Sequence, residues 1–302
     1  MFRYLRKLVW RTAPAVDHSI TAGTLPANFH RPDSSADKID QDVNYAIQVS
    51  QGYLEQLAFH NKSAANRVIL ELGPGPNFGS MLVLACHGAK PIVADRFLAS
   101  WTDDYHIRFY AALRSRIGRD FPHLEVTPIS KILRAGAHDP AVITCLPEPG
   151  EHLSSIATGS VDIALSNAVL EHLVDPPKVF AELARITRPG GFGVHQVDFR
   201  DHRNFSQPLE YLLLDPKAFM TMFSDCHGEC GGQWRPHEYS MLFGDSGFDV
   251  ERFDCNLFAD DMYLDSFVPR LRLSENSRYR ECSRDQLKAI SGLFRVQRRA
   301  SS

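Results

Sequence analysis

The sequence of 302 residues has no apolar run that approaches the ~18 residues needed to cross a membrane, so we expect no transmembrane segment. It also lacks a strong charge of either sign. The net charge of −3 gives no reason to expect nucleic acid or another polyanion as a partner. Its six cysteines show no paired spacing typical of a disulfide framework, which indicates reduced thiols and a cytoplasmic location.

The apolar content is sufficient for a substantial core, because 44% of the residues are hydrophobic. The length fits one large domain with extensions, or two small domains. Residues 1–11 are basic and amphipathic but lack the apolar core of a signal peptide. They predict either a peripheral contact with a membrane or partner, or a terminal helix packed on its own domain. Residues 12 to about 40 are rich in Pro, Ala, Ser, Asp and Thr, which is typical of an irregular arm.

The most informative stretch is residues 68–79, where a short apolar strand leads into a turn with three glycines. Such a turn lets a ligand approach the backbone closely, and in α/β sheets it binds nucleotide-like ligands. The spacing Gly73-x-Gly75-x-x-x-Gly79 is one residue longer than the dinucleotide pattern G-x-G-x-x-G. Glu71 would repel a pyrophosphate, whereas a ligand bearing an ammonium or sulfonium group would be attracted. The turn therefore favours a cationic ligand.

The segment from Glu71 to Gly75 resembles the first motif of class I S-adenosylmethionine-dependent methyltransferases. Three further segments agree with that family in order and spacing: a second strand with a ribose-binding acid, a fourth strand with the residues after it, and the helix and turn before a fifth strand. These segments are residues 91–96, 160–173 and 181–191. The resemblance is closest to small-molecule methyltransferases of the ubiquinone/menaquinone type, and it covers roughly residues 65 to 200.

Strand and helix patterns alternate along the chain, which predicts a mostly parallel α/β sheet covered on both faces. We expect strands near residues 67–72, 91–95, 141–146, 161–166, 191–198, 248–255 and 292–298. We expect helices near residues 40–59, 78–88, 98–118, 175–187 and 236–246. The resemblance implies a Rossmann-like sheet of seven strands, the last of which enters antiparallel.

The expected organisation is an N-terminal arm, residues 1–40, followed by a methyltransferase domain, residues 41–302. Residues 119–140 are expected to be a long connection before the third strand. Residues 199–247 form an insertion after the fifth strand that is rich in apolar side chains. Long insertions of this kind often form lids or substrate walls. The alternative, which is compatible with the first, is that these side chains pack into a small core of their own.

The resemblance implies S-adenosylmethionine as the cofactor. Gly73 and Gly75 would let its methionine part approach the backbone, and Glu71 would counter its positive charge. Asp95 is expected to accept hydrogen bonds from both ribose hydroxyls. Either Glu151 or Glu148 would receive the adenine amino group. The expected cofactor-binding residues are Glu71, Gly73, Gly75, Asn77, Asp95, Arg96, Glu151, Ser166 and Asn167.

Methyl transfer from a sulfonium requires a positioned nucleophile and, for a protonated acceptor, a base. The densest polar cluster follows the fifth strand at residues 195–204. We expect His195 or His202 to be the base for a phenol or alcohol, oriented by Asp198, because histidine titrates near neutrality. These three residues are the expected catalytic group.

The same cluster has an alternative interpretation, in which its aspartates and arginines form ion pairs that shape the insertion. His172 is expected to be mainly structural. Two metal-site alternatives have weak support. A magnesium site for a catechol has no ligands at fixed spacing, and the pattern of Cys226, Cys230 and His237 lacks a second matching pair for zinc. We therefore expect no metal.

The sequence predicts an enzyme that transfers a methyl group from S-adenosylmethionine to a small-molecule acceptor, with oxygen as the first choice of acceptor atom. One alternative is a nicotinamide-dependent oxidoreductase. Another is a non-catalytic scaffold that binds S-adenosylmethionine. Measurements of cofactor binding and of turnover distinguish these three functions.

Overall fold

The computed structural model describes residues 32–300. Within them the strands are β1 (Val68–Leu72), β2 (Lys90–Ala94), β3 (Thr144–Leu146), β4 (Val161–Asn167), β5 (Thr187–Asp198), β6 (Phe248–Phe258) and β7 (Ala289–Arg298). The helices are α1 (Ala36–Phe59), α2 (Gly79–Cys86), α3 (Asp103–Asp120), α4 (Thr127–Ala135), α5 (Pro176–Ile186), α6 (Pro216–Asp225), α7 (Pro236–Asp245), α8 (Asp261–Leu273) and α9 (Arg284–Lys288). The basic segment 1–11 lies outside the described residues. No helix within residues 32–300 is long and apolar enough to span a bilayer.

The strands form one seven-stranded sheet in the order β3-β2-β1-β4-β5-β7-β6. Strands β1 to β5 pair in parallel, whereas β7 is antiparallel to both β5 and β6. This arrangement confirms the expected mostly parallel α/β sheet with an antiparallel last strand. The strand order reverses between β1 and β4, and ligands of such sheets bind at the carboxyl ends of the strands beside that reversal.

Alternation of side chains along the strands divides the domain core between the two faces of the sheet. One face packs against α1 to α4 and includes Ile69, Ile163, Leu165, Phe192 and Val194. The other face packs against α5 and α7 and includes Leu70, Leu72, Ala164, Val197 and Phe294. Because both faces are covered, the central strands are mostly apolar.

The insertion after β5 forms a separate apolar cluster with the segment between β6 and β7. The insertion supplies Leu209, Tyr211, Leu212, Phe219 and Phe223. The β6–β7 segment supplies Leu264, Phe267, Leu271, Tyr279 and Leu287. The insertion thus has a core of its own, as the alternative interpretation expected, but half of that core comes from a distant part of the sequence.

Four helices were not anticipated from the sequence: α4, α6, α8 and α9. Residues 119–140, expected to be a connection, contain α4 with Ile129 and Ile132 fully buried. This helix ends at Gly136, whose φ of +59° is the left-handed conformation that glycine accommodates. Helix α1 begins at Ala36, four residues before its expected start, so the expected arm is shorter.

Candidate active site

Two cavities meet at the turn after β1, sharing Gly73, Gly75 and Ala168 in their walls. The β2-side cavity, of about 230 Å³, extends over the carboxyl ends of β1 and β2. Its lining includes residues 94–97, 150–151, 172–174, 227 and 229. The α1-side cavity, of about 670 Å³, lies between the turn and α1. The two cavities occupy the place that the strand order assigns to a ligand.

The two glycines of the turn have positive φ values, +62° at Gly73 and +69° at Gly75, but different surroundings. A Cβ added to Gly73 would lie 2.3 Å from the side chain of Val169. A Cβ added to Gly75 would meet no protein atom within 4 Å. Gly73 is therefore required by the protein's own packing, whereas Gly75 leaves the backbone open toward the cavities.

Glu71 lies beneath this turn, in the wall of the α1-side cavity, and is 3% exposed. The Tyr53 hydroxyl donates to one carboxylate oxygen over 2.9 Å, and Ser80 Oγ donates to the other over 2.8 Å. Burial raises the pKa of Glu71 to about 7, although both hydrogen bonds oppose the shift. The carboxyl group is thus held in place and titrates near neutrality.

Asp95, Arg96 and Glu151 lie together in the wall of the β2-side cavity. Asp95 follows β2 directly, and its Oδ1 accepts a hydrogen bond from Phe97 N over 2.7 Å. Arg96 Nη2 donates to both oxygens of Glu151, each over 2.9 Å. Glu148, the other candidate for the adenine acid, instead accepts hydrogen bonds from Ser154 and Ser155. Its absence from either cavity wall leaves Glu151 the better placed of the two acids.

Asn77 and Asn167 lie in the wall of the α1-side cavity. Asn77 Nδ2 donates to the Tyr105 hydroxyl over 3.0 Å, and Asn77 Oδ1 accepts from Gly79 N over 2.9 Å. Asn167 Nδ2 donates to the Tyr45 hydroxyl of α1 over 2.7 Å. These contacts join α1 and α3 to the edge of the sheet beside the turn.

Ser166 and His195 lie inside the sheet core and not in the walls of the two cavities. Ser166 Oγ and His195 Nδ1 are 2.9 Å apart on neighbouring strands, and both residues are at most 1% exposed. The His195 ring lies 5.4 Å from the ring of Phe243, under α7. Burial lowers the pKa of His195 to about 3, so the ring is neutral. This placement contradicts the expectation that His195 exchanges a proton with an acceptor, because the buried side chain lines neither cavity.

The polar cluster after β5 consists mainly of ion pairs, as its alternative interpretation expected. Arg200 donates to both oxygens of Asp198 at 2.5 to 3.1 Å, and Arg203 pairs with Asp201 at 2.6 Å. Burial raises the pKa of Asp198, but hydrogen bonds from Arg200 and His202 outweigh it and lower the pKa to about 2. Asp198 is therefore a fixed anion engaged by its neighbours.

His202 connects this cluster to the wall of the β2-side cavity. Its Nδ1 donates to Glu229 O over 3.2 Å, and its Nε2 lies 3.6 Å from Asp198 Oδ2. Its ring lies edge-on to that of His172, with centroids 5.2 Å apart and planes at 64°, and His172 lines the cavity. His172 Nδ1 in turn donates to Gly228 O over 2.9 Å. Both histidines thus hold the loop 226–232 against the site.

Sequence reasoning missed Glu171, the residue beside His172. Glu171 is 1% exposed, and neither carboxylate oxygen has a hydrogen-bond partner of normal geometry among the described residues. Burial raises the pKa of Glu171 to about 8, although the backbone N–H groups of Glu171 and Asp198 oppose the shift. The Glu171–His172 pair was noticed in the sequence, but nothing local indicated that the carboxylate would be buried.

A family model described as a methyltransferase domain matches residues 116–194, from the end of α3 into β5. An uncharacterized methyltransferase from Mycobacterium sp. (strain JLS) is 37% identical over 86 residues, which are 28% of this chain and 33% of that protein. Another from Mycolicibacterium gilvum (strain PYR-GCK) is 44% identical over 61 residues, 20% of this chain and 21% of that protein. The chain therefore spans about a third or less of the length of these curated relatives.

Solved structures with a similar fold include a geranyl diphosphate C-methyltransferase from Streptomyces coelicolor A3(2). It is 14% identical with a TM-score of 0.48, covering 94% of this chain and 88% of that chain. An S-adenosylmethionine-dependent methyltransferase from Mesorhizobium loti is 14% identical with a TM-score of 0.44, covering 78% and 93%. The fold assignment rests on the strand order itself, and the domain match confirms the resemblance to methyltransferases but not to the ubiquinone/menaquinone type.

Proposed function

We propose that this chain, which contains a methyltransferase domain of the class I, S-adenosylmethionine-dependent family, transfers a methyl group to a small-molecule acceptor. The observation that carries the proposal is the open backbone at Gly75, flanked by carboxylates at Glu71 and Asp95 on adjacent strands. The products are the methylated acceptor and S-adenosylhomocysteine.

Each of several residues around the turn would contact a different part of the cofactor. Glu71 faces the α1-side cavity, where it would attract the amino group of the methionine part. Asp95, in the β2-side cavity, has a second carboxylate oxygen available for the ribose hydroxyls. Glu151, fixed by Arg96, would meet the adenine amino group. Among the remaining expected residues, Asn77 and Asn167 contribute to the wall, while the Ser166 side chain is engaged with His195.

Bound S-adenosylmethionine supplies an activated methyl group on a sulfonium. The protein therefore has to hold the acceptor in line, exclude water and receive a proton where the acceptor carries one. We choose a phenolic hydroxyl as the first acceptor class, in keeping with the resemblance to ubiquinone/menaquinone-type enzymes. The cytoplasm is the proposed location, supported by six cysteines that are all free thiols. A polyanionic partner is not part of the proposal, given the net charge of −3.

Calorimetry with S-adenosylhomocysteine and with NAD tests the cofactor. We expect heat from S-adenosylhomocysteine and none from NAD. Turnover is then measured as S-adenosylhomocysteine released from S-adenosylmethionine over a panel of phenols, alcohols and amines. Binding of NAD alone would support the oxidoreductase, and binding of S-adenosylhomocysteine without turnover across the panel would support the scaffold.

Gly75 allows a matched test of the cavity. Gly136 also has a positive φ, and an added Cβ there would likewise meet nothing within 4 Å, but it ends α4 outside both cavity walls. Alanine should cost each site about 1–2 kcal/mol of backbone strain. We expect Gly75→Ala to weaken S-adenosylhomocysteine affinity by about tenfold or more, and Gly136→Ala to leave the affinity unchanged. Equal affinities in the two variants would contradict the site.

Substitution of Asp95 tests whether its negative charge is needed for cofactor binding, apart from its structural hydrogen bond. Asp95→Asn retains the oxygen that accepts from Phe97 N but loses the negative charge. We expect a loss of about 1–3 kcal/mol in cofactor binding, the range for a hydrogen bond to a charged group, with little change in unfolding free energy. Titration calorimetry and urea unfolding measure the two quantities. Unchanged affinity would remove Asp95 from the site.

A further inference from the structure

The chain between the glycine turn and α2 contains a strained residue. Phe78 has a φ of +53°, in the left-handed region that a bulky residue rarely adopts, and it is fully buried directly before α2. Strained backbone persists only where its surroundings fix it. Pro76 and Asn77, the two residues before Phe78, line the α1-side cavity. The contacts that fix residues 76–78 therefore also shape the cavity wall.

Helix α3 fixes this segment with three buried side chains, each 0% exposed: Tyr105, His106 and Tyr110. The Tyr110 hydroxyl donates to Asn77 O over 2.7 Å, and the Tyr105 hydroxyl accepts from Asn77 Nδ2 over 3.0 Å. His106 Nε2 lies 3.0 Å from Pro76 O and must donate to it, because a carbonyl oxygen only accepts. These three side chains line neither cavity, so they hold the cavity wall from behind.

Further hydrogen bonds fix the orientation of the two donors to the backbone. Thr102 N donates to His106 Nδ1 over 2.9 Å, which orients the imidazole ring. The Tyr110 hydroxyl uses its hydrogen on Asn77 O and accepts from His138 Nε2 over 3.0 Å. Because each donor has a defined second partner, α3 can hold residues 76–78 in one conformation.

We propose that Tyr110 and His106 are positioning residues for the methionine part of the cofactor, an inference that rests on the proposed function. The C=O and N–H of a trans peptide point in opposite directions. Because the carbonyls of Pro76 and Asn77 are turned toward α3, the N–H groups that follow them point away from α3. This orientation keeps the partial negative charge of both carbonyls away from the α1-side cavity, where the cofactor's carboxylate would lie beside its amino group.

Calorimetry with S-adenosylhomocysteine and with 5′-methylthioadenosine tests this role. The second compound has the same adenosine and a thioether but lacks the amino-carboxylate chain. Its affinity is measured by displacement of S-adenosylhomocysteine, so that weak binding is also quantified. Tyr110→Phe keeps the ring and removes the hydroxyl that donates to Asn77 O. We expect it to weaken S-adenosylhomocysteine binding about tenfold, the effect of one lost hydrogen bond, and to leave 5′-methylthioadenosine binding unchanged.

Tyr211→Phe is the matched control. The Tyr211 hydroxyl is also buried and donates to a main-chain oxygen, Phe199 O, over 2.7 Å. Tyr211 lies in the insertion and lines neither cavity. Each substitution removes one buried hydrogen bond and should lower the free energy of unfolding, which is measured with urea. Only Tyr110→Phe should weaken S-adenosylhomocysteine binding.

Two substitutions of His106 separate hydrogen bonding from packing. His106→Leu removes the donor to Pro76 O and should weaken S-adenosylhomocysteine binding about tenfold. His106→Gln carries an amide N–H that can replace Nε2 as the donor, so it should recover most of the affinity. A ring that only fills space would give no such recovery, because leucine and glutamine occupy similar volumes. Where Tyr110→Phe does not fold, this pair decides.

The outcomes separate the two proposals. Absence of heat from S-adenosylhomocysteine with the wild-type protein would refute the proposed function. Wild-type affinity for S-adenosylhomocysteine in both Tyr110→Phe and His106→Leu would overturn the positioning role and leave the proposed function intact. Equal losses of affinity for S-adenosylhomocysteine and 5′-methylthioadenosine would also overturn it, because they would indicate a general distortion of the site.

Discussion

Hydrogen-bond partners are separated by different distances along the sequence in two regions of the molecule. These are the glycine-turn region, residues 68–97, and the insertion region, residues 199–288. In the glycine-turn region several partners lie close in sequence: Asn77 with Gly79, Asp95 with Phe97, and Glu71 with Ser80. In the insertion region many lie more than 50 residues apart: Arg270 with Glu210, Ser277 with Leu212, and Arg235 with Leu287. The first region is specified by short patterns, and the second by segments that meet only in the folded chain.

Arg235 is the residue on which the insertion region depends most. It is fully buried, and its guanidinium donates to Phe199 O over 2.8 Å and to Leu287 O over 2.9 Å, and also contacts Ala289 O. It thus joins the start of the insertion to the chain before β7. Arg235→Met would remove the guanidinium from the Leu287 and Ala289 carbonyls, at about 1–3 kcal/mol for each unsatisfied group, whereas Phe199 O would keep the hydrogen bond from the Tyr211 hydroxyl. We expect a loss of roughly 2 kcal/mol or more in the free energy of unfolding, measured with urea.

The matched control is Arg270→Met, which removes an arginine that pairs with Glu210 from a half-exposed position. Surface ion pairs contribute about 0–1 kcal/mol, so this variant should remain close to wild type. If Arg235→Met were no less stable than Arg270→Met, long-range hydrogen bonds would not be what holds the insertion in place.

The same difference explains which parts of the molecule the sequence predicted. The β1 turn and the position of Asp95 directly after β2 were anticipated because they follow from a few neighbouring residues, whereas the sequence left Glu151 and Glu148 as alternatives. The core shared by α6 and α8 was not, since Phe219 and Phe267 become partners only through the topology. Glu171 illustrates the same limit: its position in the sequence was noticed, but in the fold it is 1% exposed and contacts the distant loop 226–232 through Gly232 N.

His195 lies in the sheet core, whereas His202 lies at the start of the insertion. Substitutions at these two histidines therefore test the two regions separately. His195 belongs to the sheet core, where burial lowers its pKa to about 3, below the 6.5 of an ordinary histidine. Between these values the unfolded chain binds a proton that the folded chain does not. Stability from neutral His195 is therefore complete above pH 6.5 and is lost as the pH falls toward 3.

His195→Asn removes this titration. The packing lost in this variant lowers its free energy of unfolding, and the difference from wild type is measured at pH 7. Below pH 6.5 the wild type should lose stability relative to the variant by up to about 1.4 kcal/mol per pH unit. Urea unfolding at several pH values between 4 and 7 measures the slope, and a constant offset throughout would show that His195 is protonated in the folded state. Cofactor affinity at pH 7 should be unchanged, since the ring lines neither cavity.

His202 should give the smallest effect, because its contacts hold a loop rather than a core. Asn in its place can still donate to Glu229 O but loses the contact of 3.6 Å with Asp198. At 3.6 Å this contact is longer than a hydrogen bond, so we expect its loss to change turnover by less than about tenfold. His202→Ala, which also loses the loop contact, should lower turnover further while S-adenosylhomocysteine affinity changes little. Both variants are measured on the same acceptor. A loss of turnover of about 10²-fold or more in His202→Asn, the range of a general base, would instead support His202 as the base.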